Sequence, residues 1–325
     1  MKTILSGIQP SGKLHFGNYF GAIRQHIAMQ EKGDAFYFIA NYHALTSIQD
    51  GEKLEQYTYD VALDYLALGL DPEKCILFAQ SDVPQVVELA WILGTQTPVS
   101  LMQKGVAYKD KVSQGLSPHI GLFTYPILQA ADILIYNSNL VPVGADQKQN
   151  IEITRDLAGK LNHAYGSELL TIPEAHILKS VAVVPGIDGR IMSKSYGNDI
   201  GIFEEGKRLK KKIMSIETDS TPLDDPKDPE NCNVFALIKL FADKEKQQEV
   251  ADKYRQGGYG YGHAKKELLG LVNDFFGEAR ERRKELENDM DYIKDVLREG
   301  GKKARNRAEE VMQPIRSATG IVQNR

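Results

Sequence analysis

The feature that most constrains the fold is an alternation of short apolar runs with helical patterns. Thr3-Ile4-Leu5-Ser6-Gly7-Ile8 is apolar and short, and a glycine-punctuated turn then leads into a helical pattern over 18–30. A second run covers 35–40. Residues 54–70 carry apolar side chains at helical spacing and stop at Asp71-Pro72, and a third run follows at 75–79. Residues 86–93 again read as helix. Strands separated by helices must cross back to the same end of a sheet, so the strands lie parallel and helices cover both faces. The expected class is α/β, with a doubly wound parallel, Rossmann-like sheet.

The pattern continues with a helix over 124–136, a strand at 140–143, a long helix from 144 to about 163, and a last strand expected at 182–184. The connector 98–118 is less regular and rich in lysine, and reads as an exposed segment at a subunit contact or near a nucleic acid. From about residue 203 the strand signals stop. Charged helical patterns cover 207–212, 234–240, 244–254, 263–288 and 292–313, and 218–231 is a Pro/Asp loop. The expected division is an α/β domain over 1–202 and a C-terminal all-helical domain over 203–325, its last helix packing back on the first domain.

With 325 residues the chain can bury a real core. Its net charge of −4 announces no polyanion partner globally, so such a partner must meet local basic patches. Two distant cysteines, Cys75 and Cys232, argue against a disulfide framework and a thiolate metal site. No apolar run approaches the ~18 residues of a membrane span, and no long apolar segment follows Met1-Lys2. A cytoplasmic location is expected.

Four stretches carry chemistry. The first is Gln9-Pro10-Ser11 with His15-Phe16-Gly17-Asn18, between a strand and a helix. Backbone N–H groups at that junction seat phosphate. The stretch has neither a dinucleotide fingerprint nor a P-loop. Gly17 permits close backbone approach, and His15 and Asn18 offer donors. The second is Asp188-Gly189-Arg190-Ile191-Met192-Ser193-Lys194-Ser195-Tyr196-Gly197-Asn198, a Ser/Gly loop whose lysine can close on a triphosphate. The third is a helix on which Tyr125, Gln129 and Asp132 share one face. An Asp on an apolar stripe needs a partner. The fourth is Val141-Pro142-Val143-Gly144-Ala145-Asp146-Gln147, a strand that ends in glycine before a helix. Tyr42-His43-Ala44-Leu45-Thr46 is a smaller fifth element.

In this order, the stretches resemble the class I aminoacyl-tRNA synthetases, and within them the tryptophanyl-tRNA synthetase family. His15-Phe16-Gly17-Asn18 is similar to the His-Ile-Gly-His signature, and Ile191–Ser195 to the Lys-Met-Ser-Lys-Ser loop. Gly258-Tyr259-Gly260-Tyr261-Gly262 and the run 300–305 extend the likeness over nearly the whole chain. The chain departs from the pattern at Ile191, where the family has a lysine, and at Asn150, where it usually has His. Tyr125, Gln129 and Asp132 also match the tyrosyl branch, so that helix alone does not choose between the two. A non-catalytic tRNA-binding chain is a further alternative, raised by Ile191.

The resemblance implies ATP-dependent activation of L-tryptophan and transfer to tRNA(Trp), with Mg2+ accompanying ATP and no structural metal held by the protein. It implies catalytic roles for His15, Asn18 and Lys194. It places ATP against Gln9, Pro10, Ser11, Gly17, Asn18, Gly144, Ala145, Asp146, Val183, Ile191, Met192, Ser193, Lys194 and Ser195. It places tryptophan against Asp132, Gln147, His43, Gln129, Tyr125, Leu5 and Gly7, with Asp132 accepting the indole N–H. A homodimer is the family's habit. Arg255, Lys265, Lys266, Arg280, Arg282, Arg283 and Lys284 are candidates for tRNA phosphate contacts.

Overall fold

Five parallel strands form the central sheet in the order β3-β2-β1-β4-β5. They are β1 (Thr3–Ile8), β2 (Asp34–Ile39), β3 (Ile76–Ala79), β4 (Leu140–Val143) and β5 (Glu174–Ile177). The structure is a computed structural model, and it describes residues 2–103, 108–109, 119–144, 147–177 and 183–321. The connector 98–118 therefore lies largely outside the described residues, apart from its first turn.

Strand alternation divides the core. Ile4, Tyr37, Ile39 and Leu77 point to one face of the sheet, and Leu5, Phe36, Phe38 and Phe78 to the other. Both faces are covered, as a parallel sheet requires. Phe16–Asn18 (α1) runs through a π-helical turn, Tyr19–Ile23, into Arg24–Met29 (α2). A short turn, Asn41–Ala44 (α3), follows β2, and Gly51–Ala67 (α4) is capped by Asp50 through Lys53 N. Next come Gln85–Thr95 (α5), Val99–Met102 (α6), Ile120–Leu134 (α7) and Lys148–Ala164 (α8).

β5 corrects the expectation for the last strand. It lies at Glu174–Ile177; of the expected 182–184, residue 182 lies outside the described residues, and Val183 and Val184 are not in a strand. As the last strand in the sheet order it is paired on one side by β4, so it needs no continuous apolar run. Val183 is instead exposed, and the Val184 carbonyl accepts from Met192 N.

The strand order reverses between β1 and β4. β2 and β3 lie on one side of that point, β4 and β5 on the other. β1 and β4 pair at Ile4–Leu140, and Pro142 has no N–H with which to extend a ladder. A crevice opens there at the carboxyl ends, where doubly wound sheets bind ligands.

The rest is helical: Gly206–Met214 (α9), Asn233–Phe241 (α10), Lys244–Gln256 (α11), Tyr261–Glu287 (α12) and Met290–Thr319 (α13). Phe241 and Phe276 pack on Phe16, with ring centroids 5.1 and 5.6 Å away. α13 returns to the sheet and buries Ala304, Ala308, Val311 and Ile315 in the second core. Gly300 is required at that crossing, because a Cβ there would stand 1.8 Å from the Leu77 carbonyl oxygen. The Arg316 guanidinium then ties α13 to α5 through both oxygens of Glu88, at 2.7 and 2.6 Å.

Candidate active site

At the crevice lies a cavity of about 440 Å³. Leu5, Ser6, Gly7 and Gln9 come to it from β1 and the turn after it. Val141, Pro142, Gly144 and Gln147 come from β4 and its following turn, and Tyr125, Gln129 and Asp132 from α7. His43 enters from the turn after β2. All seven residues expected to meet tryptophan therefore line one cavity, although they are spread over more than a hundred positions. Gly7 is the floor: a Cβ there would meet the Phe38 ring at 2.5 Å.

Asp132 is 1% exposed. Burial raises its pKa, and hydrogen bonds from His43 and Gln80 oppose the rise. His43 Nε2 lies 2.8 Å from Asp132 Oδ2, and Gln80 Nε2 donates to Oδ1 at 2.8 Å and to Oδ2 at 2.9 Å. A carboxylate in an apolar wall is thus held by fixed donors, the condition under which a buried charge is tolerated. Gln129 Nε2 donates to Gln147 Oε1 at 3.3 Å, and Asn150 Nδ2 donates to the same oxygen at 2.9 Å. Asn150 therefore fixes the orientation of Gln147 from the position usually held by His.

The wall opposite contains His26, which the sequence reading did not single out. Its Nε2 lies 2.8 Å from Ser6 Oγ and its Nδ1 2.9 Å from Tyr65 Oη. Burial lowers its pKa to about 4. Nothing in the local sequence distinguishes it from other helix histidines.

The second half of the site is built from the opening turn and the 185–198 loop. His15 caps α1 with its backbone: His15 N donates to Asn18 Oδ1 at 3.0 Å, and Asn18 N donates to His15 O at 2.9 Å. Asn18 thereby serves the turn itself. Phe16 N donates to Ile200 O and Ile202 N to Leu14 O, so the chain just past the loop is stitched to this turn. His15 Nδ1 is buried with no hydrogen-bond partner among the described residues. Its pKa falls to about 4, chiefly through burial and then through the charge of Lys194, with Lys212 adding to the effect against Asp199. At neutral pH His15 is an uncharged donor. Gly17 fits because a Cβ would press on the His15 ring at 2.9 Å, a closer reason than contact with a nucleotide.

The loop is organised by Asn198. Its Nδ2 donates to Asp188 Oδ1 at 2.7 Å and to Ile191 O at 3.2 Å, and its Oδ1 accepts from Ser193 N at 2.8 Å. Met192 is buried, whereas Ile191 is 63% exposed. Lys194 Nζ donates to Gly12 O at 3.0 Å and to Ser11 Oγ at 3.3 Å. Burial lowers its pKa. Ser193 and Ser195 hydrogen bond to each other at 2.8 Å. Arg190 is engaged elsewhere: its Nε donates to Asp188 Oδ2 at 2.7 Å, and it stacks on Tyr196.

The structure brings Ser11, His15, Gly17, Asn18, Met192 and Lys194 together, and puts Gln9 and Gly144 on the cavity wall. Val183 is 71% exposed and is not among the residues that line the cavity. Ala145 and Asp146 lie outside the described residues. Of the basic candidates on α12, Arg280 Nε donates to Ile202 O at 2.9 Å and Arg283 Nε to Asp64 Oδ1 at 2.6 Å. Arg282 reaches Ala67 O and Glu278, and Lys284 reaches Glu205 and Glu281. These side chains fasten the helix to the rest of the chain.

Comparison with known proteins agrees with this geometry. The family model for tRNA synthetases class I (W and Y) matches residues 1–277. A tryptophan–tRNA ligase of Fusobacterium nucleatum is 54% identical over 324 residues, covering 100% of this chain and 99% of that protein. The chain belongs to the tryptophan–tRNA ligase family of class I tRNA synthetases. A crystal structure of tryptophanyl-tRNA synthetase from Campylobacter jejuni, complexed with ADP and tryptophan, matches this family member with a TM-score of 0.92 and 53% identity, over 98% of this chain and 100% of that one. The enzyme from Mycoplasma pneumoniae matches with a TM-score of 0.82 at 27% identity, over 99% and 98%. The α/β class with a C-terminal helical part is shared with these synthetases.

Proposed function

We propose that the chain is a tryptophan–tRNA ligase that forms tryptophanyl-adenylate from L-tryptophan and ATP and transfers the tryptophanyl group to tRNA(Trp). The observation that carries this reading is the Asp132 carboxylate, buried in the wall of a cavity at the switch point and braced by His43 and Gln80. A buried acceptor selects a side chain that brings an N–H. It rejects phenylalanine, which would leave the carboxylate unpaired.

In the first step the tryptophan carboxylate oxygen attacks the α-phosphorus in line, the new P–O bond forms, and the bond to pyrophosphate breaks. No general base is needed, because the carboxylate is already ionised at neutral pH. Catalysis is positioning and charge stabilisation. His15 gives an uncharged N–H to phosphate, and Lys194 moves from Ser11 and Gly12 onto the developing pyrophosphate charge. Asn18 keeps His15 in place. Gln9, Pro10, Ser11, Gly17, Gly144, Ala145, Asp146 and the 191–195 loop bound the nucleotide, and Mg2+ enters with ATP. Tyr125, Gln129, Gln147, Leu5 and Gly7 bound the amino acid. In the second step a terminal ribose hydroxyl of the tRNA attacks the adenylate carbonyl and AMP leaves.

Residues 1–202 carry this chemistry, and 203–325 receive the tRNA; of the basic candidates there, Lys265 donates to Met214 O and Arg255 pairs with Asp252, and Lys266 is the candidate that remains. Two copies associate. Val87 and Trp91 (77% exposed) share one face of α5, and Val99 and Ile120 are exposed as well, a surface that suits a second subunit. Among the described residues no helix is long and apolar enough to cross a membrane, in keeping with work in the cytoplasm. Pyrophosphate exchange with tryptophan and with tyrosine tests the reading. Exchange that depends on tryptophan supports it; exchange with tyrosine alone, or with neither, overturns it.

A further inference from the structure

Gln80 follows β3 directly, in the short turn Gln80–Asp82, and is 1% exposed. It is not among the residues that line the cavity. Its Nε2 donates to both oxygens of Asp132, at 2.8 and 2.9 Å. Its Oε1 accepts from Tyr42 N at 3.0 Å and from His43 N at 3.4 Å. The network fixes which end of the amide is which: turned over, its oxygen would face a carboxylate and its NH₂ would face two backbone donors. One side chain therefore joins three elements, the end of β3, the turn that presents His43, and α7.

We propose that Gln80 is the positioning residue for amino-acid specificity: it holds the Asp132 carboxylate so that an acceptor site on Oδ1 remains for an N–H donor from the cavity. An ionised carboxylate offers about four lone-pair sites. One Gln80 N–H straddles both oxygens and His43 holds Oδ2, which leaves Oδ1 the less committed oxygen. The indole ring has one N–H. A side chain that brings none leaves the site unpaired, and one that brings an acceptor meets a full carboxylate. Gln80 also holds the amides of Tyr42 and His43, so the His43 donor and the Asp132 acceptor are set by the same group. The inference rests on reading the cavity as the tryptophan site.

Two variants disable this device. Gln80→Glu keeps an oxygen for Tyr42 and His43 and sets a second carboxyl against Asp132, so that the pair shares a proton and Asp132 is no longer held by a neutral amide. Gln80→Met keeps the volume and removes the oxygen and the donors. The probes are tryptophan and its benzothiophene analogue, in which sulfur replaces the indole N–H. Pyrophosphate exchange on the wild type comes first, and a wild type without tryptophan-dependent exchange refutes the functional reading rather than the role of Gln80. In both variants KM for tryptophan rises about 10- to 100-fold, in line with losing a hydrogen bond to a charged group. KM for ATP, kcat, and KM for the analogue stay near wild type. An equal loss for tryptophan and the analogue marks a structural residue and overturns the proposal, as does an unchanged preference. Should neither variant fold, the wild type answers. The Gln80 side-chain NH₂ protons exchange slowly and shift more with tryptophan than with the analogue, and equal shifts overturn the assignment.

Discussion

The two halves of the site are made in opposite ways. The amino-acid half is core: Asp132, Gln80 and His26 are buried, and each is tied to elements far away in sequence. The phosphate half is an exposed loop folded on Asn198, whose one lysine rests on Ser11 and Gly12. On the proposed reading, selection falls to a wall that cannot move without disturbing the sheet, and charge stabilisation to a surface loop. His15 belongs to the fixed side of this second half, since its backbone is stitched to 200–202.

The largest break in this comparison comes from the rigid half. Asp132→Ala removes the acceptor and leaves His43 and Gln80 facing an empty position. Truncating one member of such a buried set lowers kcat/KM for tryptophan by about 10³-fold. Pyrophosphate exchange reads the loss, and discrimination against phenylalanine falls with it. A loss below tenfold would place recognition elsewhere in the cavity.

Next in size is a pH effect on the same half of the site. Burial holds the folded-state pKa of His26 near 4, against an ordinary 6.5. The unfolded chain takes up the proton first as pH falls, so stability is lost from about pH 6.5 down to about pH 4. A shift of that size is worth roughly 3 kcal/mol at full extent. His26→Gln, which cannot titrate, shows a shallower fall of Tm over that window. Parallel curves for the two proteins would refute the assignment.

Much of this was legible in the sequence, for identifiable reasons. Asp132 stood out because a carboxylate on an apolar helix stripe needs a partner, and the strand-turn-helix at 3–30 announced a phosphate seat. Gln80 gave no signal, because its meaning depends on Tyr42, His43 and Asp132 meeting in space. Glu174–Ile177 was passed over because a strand paired by one neighbour carries polar residues freely. Arg280 and Arg283 stood as candidates for phosphate contacts, because helical periodicity does not say whether a charge has a partner on another element. Arg190, next to the position where the family has a lysine, is spent on Asp188.

On the loop half, Lys194→Ala lowers kcat about 100-fold, the scale of losing one donor to developing charge. KM for tryptophan is unchanged, because the lysine touches none of the residues that hold the amino acid. The same variant sharpens the contrast between the two histidines. Lys194 is one of the charges that depress His15, whereas His26 is depressed by burial alone. NMR titration of Lys194→Ala therefore moves the His15 pKa upward and leaves that of His26 where it was. Movement of both, or of neither, would remove the electrostatic link between loop and turn.

The smallest effect is expected at Ile191. Its side chain is largely exposed on a loop anchored by Met192 and Asn198, so Ile191→Lys changes stability by less than about 0.5 kcal/mol. A lysine there adds a cation to the side of the site that closes on pyrophosphate. Because the position is solvated and the charge screened, the gain is of the order of a solvent-exposed pair, about 1 kcal/mol or less. That is a rise of a few fold in kcat for activation, and it fades at high salt. The rise should need Lys194, because the second charge helps only where the first has drawn the loop in; in Lys194→Ala the added lysine should do little. An equal gain in both backgrounds would show that the two charges act independently. The loop would then be a flexible source of positive charge rather than a jaw closing on the fixed turn at His15.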